Sequence, residues 1–160
     1  MMRIGQGCDF HRFAEGRKLM LGGFHVNGCT GLAGHSDADV LLHAISDAVL
    51  GALALGDIGS WFPPRESRWK DVESSRIVTA VWESPELKDW QLVNLDATVI
   101  CEYPKLRPHI DNIRQSIASI FSVGTSCISV KATTTEGMGF IGRKEGMASN
   151  AVVLLEKNSI

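Results

Sequence analysis

The chain has 160 residues, enough for one domain with its own hydrophobic core. Its 44% hydrophobic and 21% charged residues exclude a disordered chain, a collagen and a coiled coil. Sixteen Lys and Arg against eighteen Asp and Glu give a net charge of −2, so no overall positive field would attract nucleic acid or an anionic membrane. We expect one domain over residues 1–160, without a nucleic-acid or membrane partner.

The first elements are predicted from glycines and helix signals. A strand interrupted by glycines is expected over residues 3–13, and a hairpin turning at Gly22-Gly23 follows, because paired glycines allow positive φ angles. The next element is a helix over residues 38–55, capped by Asp37 and stopped by Gly56.

The rest of the chain alternates helices and strands. Residues 57–68 are predicted to form a loop long enough to have a function. The elements expected after it are a helix at 72–83, a strand at 92–101, a helix at 108–121, a strand at 127–133, a glycine-rich loop at 134–146 and a strand at 148–156. This order predicts an α/β layer with helices packed on a sheet.

The four cysteines, Cys8, Cys29, Cys101 and Cys127, form no CxxC pair, which excludes a zinc ribbon and a thioredoxin motif. Their even number would allow two disulfides. However, the N-terminus lacks an apolar signal segment, and the apolar stretch at 40–55 is too short to cross a bilayer. We therefore expect buried free thiols and a cytoplasmic location. The alternative is a plastid protein whose transit peptide has been removed.

Three residues suggest a metal site. Asp9 and His11 lie two apart on a strand and share one face, and His43 lies on the first helix. Two imidazoles and a carboxylate suit zinc and leave a fourth position open for a substrate oxygen. Asp39 and Asp47 lie one turn either side of His43, so one of them could accept the other imidazole N–H. The alternative is a chance Asp-x-His pair and a structural histidine.

Two further segments could bind phosphate. His35 and Ser36 precede the first helix, where backbone N–H groups favour anions, although a plain capping loop has the same pattern. Residues 131–137 end a strand with three threonines, Glu136 and a glycine, a set that could bind phosphates and Mg²⁺ without being a Walker A loop. A threonine-rich strand end and a solvated Arg143 are the alternatives there, and the Pro-flanked loop at 104–108 could line a pocket or only turn the chain.

Taken in order, residues 5–13, 34–59 and 130–146 resemble one family over almost the whole chain. That family is the 2-C-methyl-D-erythritol 2,4-cyclodiphosphate synthases of the non-mevalonate isoprenoid pathway. The resemblance implies an α/β (α+β) fold of the ferredoxin-like or chorismate-mutase-like type, a single sheet with helices packed on one face. It also implies a homotrimer whose active sites lie between subunits.

The implied enzyme is a metal-dependent phosphorus-oxygen lyase. Its substrate would be 4-diphosphocytidyl-2-C-methyl-D-erythritol 2-phosphate, whose 2-phosphate attacks the β-phosphate to give a cyclic diphosphate and CMP. The resemblance assigns Zn²⁺ to Asp9, His11 and His43, and Mg²⁺ or Mn²⁺ bridging the diphosphate to Glu136. It assigns stabilisation of the transition state to His35 and Thr134.

The resemblance also implies which other residues touch substrate. Asp57, Ile58 and Gly59 would hold the methylerythritol hydroxyls. Other implied substrate contacts are Asp9, His11, His35, Ser36, Phe62, Glu66, Phe140 and Arg143. The cytidine and phosphate contacts would be Cys101, Lys105, Leu106, Arg107, Ala132, Thr133, Thr134, Thr135 and Glu136.

Several positions depart from the family pattern. Pro64 and Glu66 stand where aspartates are usual, which bears on the loop near the substrate. Cys101 and Tyr103 replace small residues before Pro-Lys, and Arg107 replaces an apolar residue. The three zinc ligands match the pattern.

Two other classes of function remain open from the residues alone. A zinc phosphohydrolase would use a metal-bound water and release inorganic phosphate or a linear product. A non-catalytic nucleotide-binding or structural zinc protein is the other, although structural zinc sites usually have four protein ligands and the sequence offers three.

Overall fold

A computed structural model describes residues 1–63, 69 and 71–158, and it shows one five-stranded mixed sheet with helices. The strands are β1 (Met2–Leu21), β2 (Phe24–Leu32), β3 (Trp90–Ile100), β4 (Ile128–Thr133) and β5 (Gly146–Lys157). The helices are α1 (Val40–Ala52), α2 (Ile58–Trp61), α3 (Ser74–Trp82), α4 (Ile110–Phe121) and α5 (Gly139–Gly142). The strand order is β2-β1-β5-β3-β4, with β3 and β4 parallel and the other neighbours antiparallel.

β1 is one strand of 20 residues, so the two strands predicted at its ends are continuous. Its first half pairs with β5 and its second half with β2. The register with β2 shifts between Ala14 and Leu19, around Gly16, whose φ is 76°. The predicted turn at Gly22 and Gly23 is confirmed, with φ angles of 63° and 76°.

Helix α1 packs directly against the backbone of β1 because glycines lie beneath it. A Cβ on Gly5 would lie 1.9 Å from the carbonyl oxygen of Ala48, and one on Gly7 would lie 2.1 Å from that of Ala44. Any larger residue would therefore push the helix off the strand. This close approach brings the start of α1 next to the middle of β1.

The start of α1 differs from the prediction, because its N-cap is Asp39 and not Asp37. Ala38 between them has φ 58°, so the chain enters the helix only after it. The buried Asp39 carboxylate accepts two N–H groups of the first helical turn and the N–H groups of both glycines in the β1–β2 turn. Burial raises the pKa of the Asp39 carboxyl. This one side chain therefore joins the hairpin to the helix.

The other predicted elements are confirmed to within a few residues, while two predicted loops each contain a short helix. α2 forms inside the 57–68 segment because Asp57 caps it and Ser60 reciprocates in a capping box. α5 forms inside the 134–146 segment, and a 3-10 turn at Arg107–His109 precedes α4. α1 ends at Ala52, earlier than predicted.

The two faces of the sheet differ. Residues of one parity on β3 and β5 are buried with the helices, among them Leu95, Val99 and Val153. On the opposite face of this chain Ile4 and Phe10 are exposed, at 71% and 56%. Among the described residues, no helix is long and apolar enough to span a bilayer.

All four cysteines are free thiols, as expected, but their expected burial holds only for Cys101. Cys8 is exposed because the even-numbered positions of this part of β1 face away from α1. Burial raises the pKa of the Cys101 thiol to about 11, and the neighbouring Glu102 carboxylate adds to the shift.

Candidate active site

The structure brings the three predicted metal ligands together. His11 Nε2 lies 2.9 Å and His43 Nδ1 3.0 Å from the same oxygen, Oδ2 of Asp9. The two ring nitrogens are 3.1 Å apart, and the ligand atoms of all three residues lie within 4.8 Å of one another. β1 presents the first two side chains on its α1 face, and α1 presents the third from its first turns.

The outer nitrogens of both imidazoles have partners. His11 Nδ1 lies 2.6 Å from the carbonyl oxygen of Ala33, which can only accept. His43 Nε2 lies 3.0 Å from Ser74 Oγ and 3.1 Å from Ser36 Oγ. Each ring can therefore hold its hydrogen on the outer nitrogen and direct a lone pair at the cluster.

The predicted role of an aspartate on α1 as partner of His43 is wrong. Asp39 is committed to the helix cap and the β1–β2 turn. Asp47 accepts the N–H of Ile58 at 2.8 Å, which ties α1 to α2. The partners of His43 Nε2 are instead the hydroxyls of Ser36, before α1, and Ser74, on α3.

The charges of the cluster suit a cation. Although burial alone would raise the pKa of the Asp9 carboxyl, hydrogen bonds from His11 and His43 hold it well below its usual value. Burial alone would lower the pKa of His11, but its contact with the Asp9 carboxylate raises it above the ordinary value. The site therefore keeps a carboxylate charged and attracts positive charge to the same point.

These residues fit a divalent metal ion. One carboxylate oxygen and two imidazole nitrogens are the donor set of a three-ligand zinc site, and both imidazoles are oriented from behind. His11 and His43 also line a cavity of about 170 Å³, so a ligand position faces accessible space. The cavity is also lined by His35, Ser36, Ile58, Gly59, Phe62, Trp69 and Ile77.

That cavity gathers predicted residues from three segments. His35 is exposed before α1, whereas the Ser36 side chain is turned inward and buried. α2 contributes Ile58 and Gly59, and Asp57 caps the same helix with an exposed side chain. The predicted positions Pro64 and Glu66 lie outside the described residues.

A second cavity, of about 540 Å³, lies where the parallel strands β3 and β4 end. It collects seven of the predicted substrate residues: Cys101, Lys105, Leu106, Arg107, Ala132, Thr133 and Thr134. Ile110 and Val130, which were not predicted as contacts, also line this cavity. Its wall combines apolar side chains with Lys105 and Arg107, a mixture suited to a nucleoside with phosphate groups.

The loop after β4 is held by a residue that the sequence analysis did not select. Glu102 accepts the N–H of Thr135 at 2.9 Å and that of Gly137 at 3.2 Å, and these bonds outweigh its slight burial and lower its pKa. The Glu136 carboxylate accepts the hydroxyl of Thr134 at 2.9 Å. The predicted Mg²⁺ ligand and the predicted catalytic threonine are therefore neighbours on a braced loop.

The two cavities lie in one row across the sheet but not side by side. Asp9 pairs with Ser149 on β5, Ser149 with Val99 on β3, and Val99 with Ala132 on β4. Three strand spacings amount to about 14 Å. Within one chain, the metal cluster and the second cavity are thus separated by the width of two intervening strands.

Phe140 and Arg143 occupy a third location. The Phe140 ring centroid lies 6.1 Å from that of Phe10, and both line a cavity of about 550 Å³ that also reaches His11. Arg143 Nε donates to Glu145 at 2.6 Å, and both side chains are largely exposed. Neither aromatic ring nor guanidinium belongs to the second cavity.

The residues that sequence reasoning missed act through tertiary contacts. Ser74 is the first residue of α3, and Ala33 contributes only its backbone carbonyl. Glu102 lies in the loop after β3, where no helix or strand periodicity indicates its contacts. Nothing in their local sequence distinguishes them from ordinary polar or small residues.

Comparison with known proteins agrees with this geometry. The chain matches the YgbB family model over residues 2–156. Curated relatives named 2-C-methyl-D-erythritol 2,4-cyclodiphosphate synthase include one from Salinibacter ruber, 53% identical over 97% of this chain and 99% of the relative. Another, from Syntrophomonas wolfei subsp. wolfei, is 51% identical over 98% and 99%.

A solved structure of a 2C-methyl-D-erythritol-2,4-cyclodiphosphate synthase in its CDP-bound form has the same fold. It superposes with a TM-score of 0.87 at 33% identity and covers 96% of this chain and 100% of its own. Family model, relatives and fold therefore agree over nearly the full length. The chain belongs to the YgbB family, alongside these cyclodiphosphate synthases.

Proposed function

We propose that this chain converts 4-diphosphocytidyl-2-C-methyl-D-erythritol 2-phosphate to 2-C-methyl-D-erythritol 2,4-cyclodiphosphate and CMP. The main evidence is the cluster of Asp9, His11 and His43, which borders a cavity. In addition, the chain is about half identical to proteins named 2-C-methyl-D-erythritol 2,4-cyclodiphosphate synthase. The enzyme is a phosphorus-oxygen lyase of the non-mevalonate isoprenoid pathway.

The chemistry asks for no nucleophile from the protein. The 2-phosphate of the substrate is already an anion, and it attacks the β-phosphate of the same molecule while CMP leaves. The protein must therefore bring two phosphates together and offset their charge. A net charge of −2 makes metal ions and a few placed cations the means of doing so.

Asp9, His11 and His43 would hold Zn²⁺, and Glu136 would hold Mg²⁺ or Mn²⁺ beside Thr134. Bound there, such ions supply Lewis-acid polarisation and neutralise the diphosphate. The support for the first site is the convergence of three donor atoms within 4.8 Å. The support for the second is one exposed carboxylate and one hydroxyl on a braced loop.

His35 and Thr134 would contact the phosphates as charge builds up in the transition state. His35 is exposed and lines the cavity of the metal cluster, so its ring can reach an anion bound there. The Ser36 hydroxyl is engaged with its neighbours in the interior, so a phosphate contact at this residue would use the backbone.

Each part of the substrate has a proposed place. The methylerythritol unit would lie against Asp57, Ile58, Gly59 and Phe62, and Glu66 is a further proposed contact. The cytidine would occupy the 540 Å³ cavity, with phosphate contacts from Lys105 and from Thr133 to Thr135. Arg143 and Phe140 would serve an additional contact near the exposed sheet face.

We propose a homotrimer in which each active site combines the metal half of one subunit with the cytidine half of the next. Two features support it: about 14 Å of sheet separate the halves within a chain, and Ile4 and Phe10 are exposed on the uncovered sheet face. Apolar side chains at that level of exposure favour burial against another surface. The trimer-forming, ferredoxin-like or chorismate-mutase-like fold, the single catalytic domain over residues 1–160 and the cytoplasmic location belong to the same proposal.

The test combines metal analysis with identification of the product. The purified protein is stripped with a chelator, reloaded with Zn²⁺ and Mg²⁺ and given the named substrate. We expect CMP release to depend on the metals and ³¹P NMR to show the cyclic diphosphate. Inorganic phosphate or a linear product would instead indicate a phosphohydrolase, and binding of CMP without turnover would indicate a nucleotide-binding protein.

A further inference from the structure

We propose that Ser74 and Asp37 are positioning residues that orient the His43 ring for metal binding. This inference rests on the proposed function, because it concerns the metal cluster of Asp9, His11 and His43. It concerns residues outside that cluster, on α3 and in the loop before α1.

The hydrogen bonds define which nitrogen of His43 carries the hydrogen. Ser74 Oγ donates its single hydrogen to the carboxylate of Asp37, which can only accept. The same oxygen lies 3.0 Å from His43 Nε2 and must accept there, so Nε2 carries the hydrogen. Nδ1 faces Asp9 and His11, and with a hydrogen held on Nε2 its lone pair can bind a metal ion that replaces the hydrogen shared with Asp9.

Ser36 completes this arrangement. Its oxygen accepts the N–H of Ala38 at 3.1 Å and lies 3.3 Å from Ser74 Oγ, to which it can donate. Ser36 and Ser74 are 5% and 0% exposed, and His43 is 9% exposed. The hydrogen bonds are therefore shielded from water, which strengthens them.

Ser74 does not act as a helix cap in this structure. It is the first residue of α3, next to the N-cap position at which a serine hydroxyl usually bonds to the backbone of the first turn. Here the N-cap residue Glu73 makes no side-chain cap bond, and the Ser74 hydroxyl turns away towards Asp37 and His43. The hydroxyl thus serves the metal cluster rather than the helix that carries it.

Backbone contacts place Ser74 at this point. The N–H of Asp37 donates to the carbonyl of Val72 at 3.1 Å, and that of Asp71 donates to the carbonyl of His35 at 2.8 Å. The loop before α1 and the segment before α3 are thereby joined by two hydrogen bonds immediately before the serine. The position of α3 is thus transmitted to the ring of His43.

The His11 ring has a backbone partner, the carbonyl of Ala33, but the His43 partners are side chains and can be substituted. Loss of such a partner behind a metal-bound histidine usually weakens metal binding by about 10- to 100-fold. We expect that range for Ser74→Ala. Asp37→Asn keeps the size but replaces the charged acceptor, so we expect a smaller loss.

The experiment measures Zn²⁺ affinity of the full chain by competition with a chromophoric chelator. Ser74→Ala is compared with Ser75→Ala, the same change at the next residue of α3, which should stay within about twofold of the parent. The d–d spectrum of Co²⁺-loaded protein gives a second readout, and Ser74→Ala should change it. Circular dichroism of the metal-free variants checks that they are folded.

Parent-like Zn²⁺ affinity in Ser74→Ala would overturn the inference, as would equal losses in both serine variants. If Ser74→Ala does not fold, Asp37→Asn decides alone, and unchanged affinity and spectrum in that variant refute the positioning role. Failure of the parent protein to bind Zn²⁺ would instead refute the proposed function. The two failures are therefore distinguishable.

Discussion

His11 Nε2 and His43 Nδ1 lie 3.1 Å apart although 32 positions separate the residues in sequence. One comes from a strand and the other from a helix, and the glycines of β1 let these elements approach closely. The cluster therefore depends on the packing of α1 on β1 as much as on its three ligands.

Replacing His43 with alanine should abolish tight metal binding and CMP release. The site then keeps two ligands, and we expect Zn²⁺ affinity to fall by more than about 100-fold, beyond the usual effect of losing an orienting partner. Metal content after dialysis and CMP release measure both effects. His25→Ala, on β2 and outside the cluster, is the matched control and should retain both properties. Undiminished CMP release in metal-depleted His43→Ala would contradict the proposed role.

Metal affinity should increase with pH. The contact with Asp9 raises the pKa of His11 in the metal-free protein above its ordinary value of 6.5, so a proton competes with the metal up to a higher pH. Raising the pH through this raised pKa removes the proton from His11 and strengthens metal binding. Competition titrations between about pH 6 and pH 8 test this, and an affinity that stays constant over the range would count against it.

The same shift affects the stability of the metal-free protein in the opposite direction. A raised pKa in the folded state means that protonated His11 stabilises the fold fully below the unfolded value of 6.5. That contribution is lost as the pH rises through the folded-state pKa. The chelator-treated protein should therefore lose this contribution to its stability over the same pH range in which its affinity for Zn²⁺ increases.

Substituting Gly7 with alanine should strongly destabilise the protein. The new methyl group would lie 2.1 Å from the carbonyl oxygen of Ala44, so α1 must move away from β1, at a cost of about 3 kcal/mol. Gly51→Ala is the control, since its nearest neighbour would be the carbonyl of Gln6 at 3.7 Å and alanine favours the helix. Urea denaturation compares the two, and equal stabilities would show that the contact is not limiting.

A charge on the uncovered sheet face should disrupt assembly. Ile4 is 71% exposed in the isolated chain, so Ile4→Glu would place a carboxylate in the proposed subunit interface. Light scattering after gel filtration should show trimers for the parent and smaller species for the variant. Gln115→Glu, on the exposed side of α4, should leave the mass unchanged. A monomeric parent would refute the trimer itself.

Removing the carboxylate of Glu102 should loosen the loop that carries Thr134 and Glu136. Glu102→Ala removes the acceptor of two backbone N–H groups, and we expect KM to rise by about tenfold. Glu102→Gln keeps an acceptor oxygen of similar reach and should recover most of the affinity. If both variants keep the parent KM for the substrate, the hydrogen bonds from Thr135 and Gly137 to Glu102 do not affect substrate binding.

Much of the fold was predictable because its signals are local. Alternating apolar residues marked β3, and Gly22-Gly23 marked the hairpin turn. The helix cap was misplaced by two residues because Asp37 and Asp39 look equivalent in sequence. Only the positive φ of Ala38 and the contact of Asp39 with the hairpin decide between them.

The candidate site was predictable in its ligands but not in their support. Asp9, His11 and His43 carry chemistry that can be recognised one residue at a time. The partner of His43 was assigned to a carboxylate at helical spacing, whereas the structure places Ser74 there from 31 positions away. Such a partner depends on how α3 packs, which no local pattern encodes.

The separation of Asp9 from Ala132 by β5 and β3 also bears on inheritance. In a trimer that shares its sites, a chain with a damaged metal half still lends an intact cytidine half to its neighbour. Two defective copies of the gene, damaged in different halves, could then assemble into mixed trimers, each with one intact site; with random mixing of the chains, about a quarter of all sites would be intact. The order of strands in one sheet would thus decide which pairs of mutations complement each other.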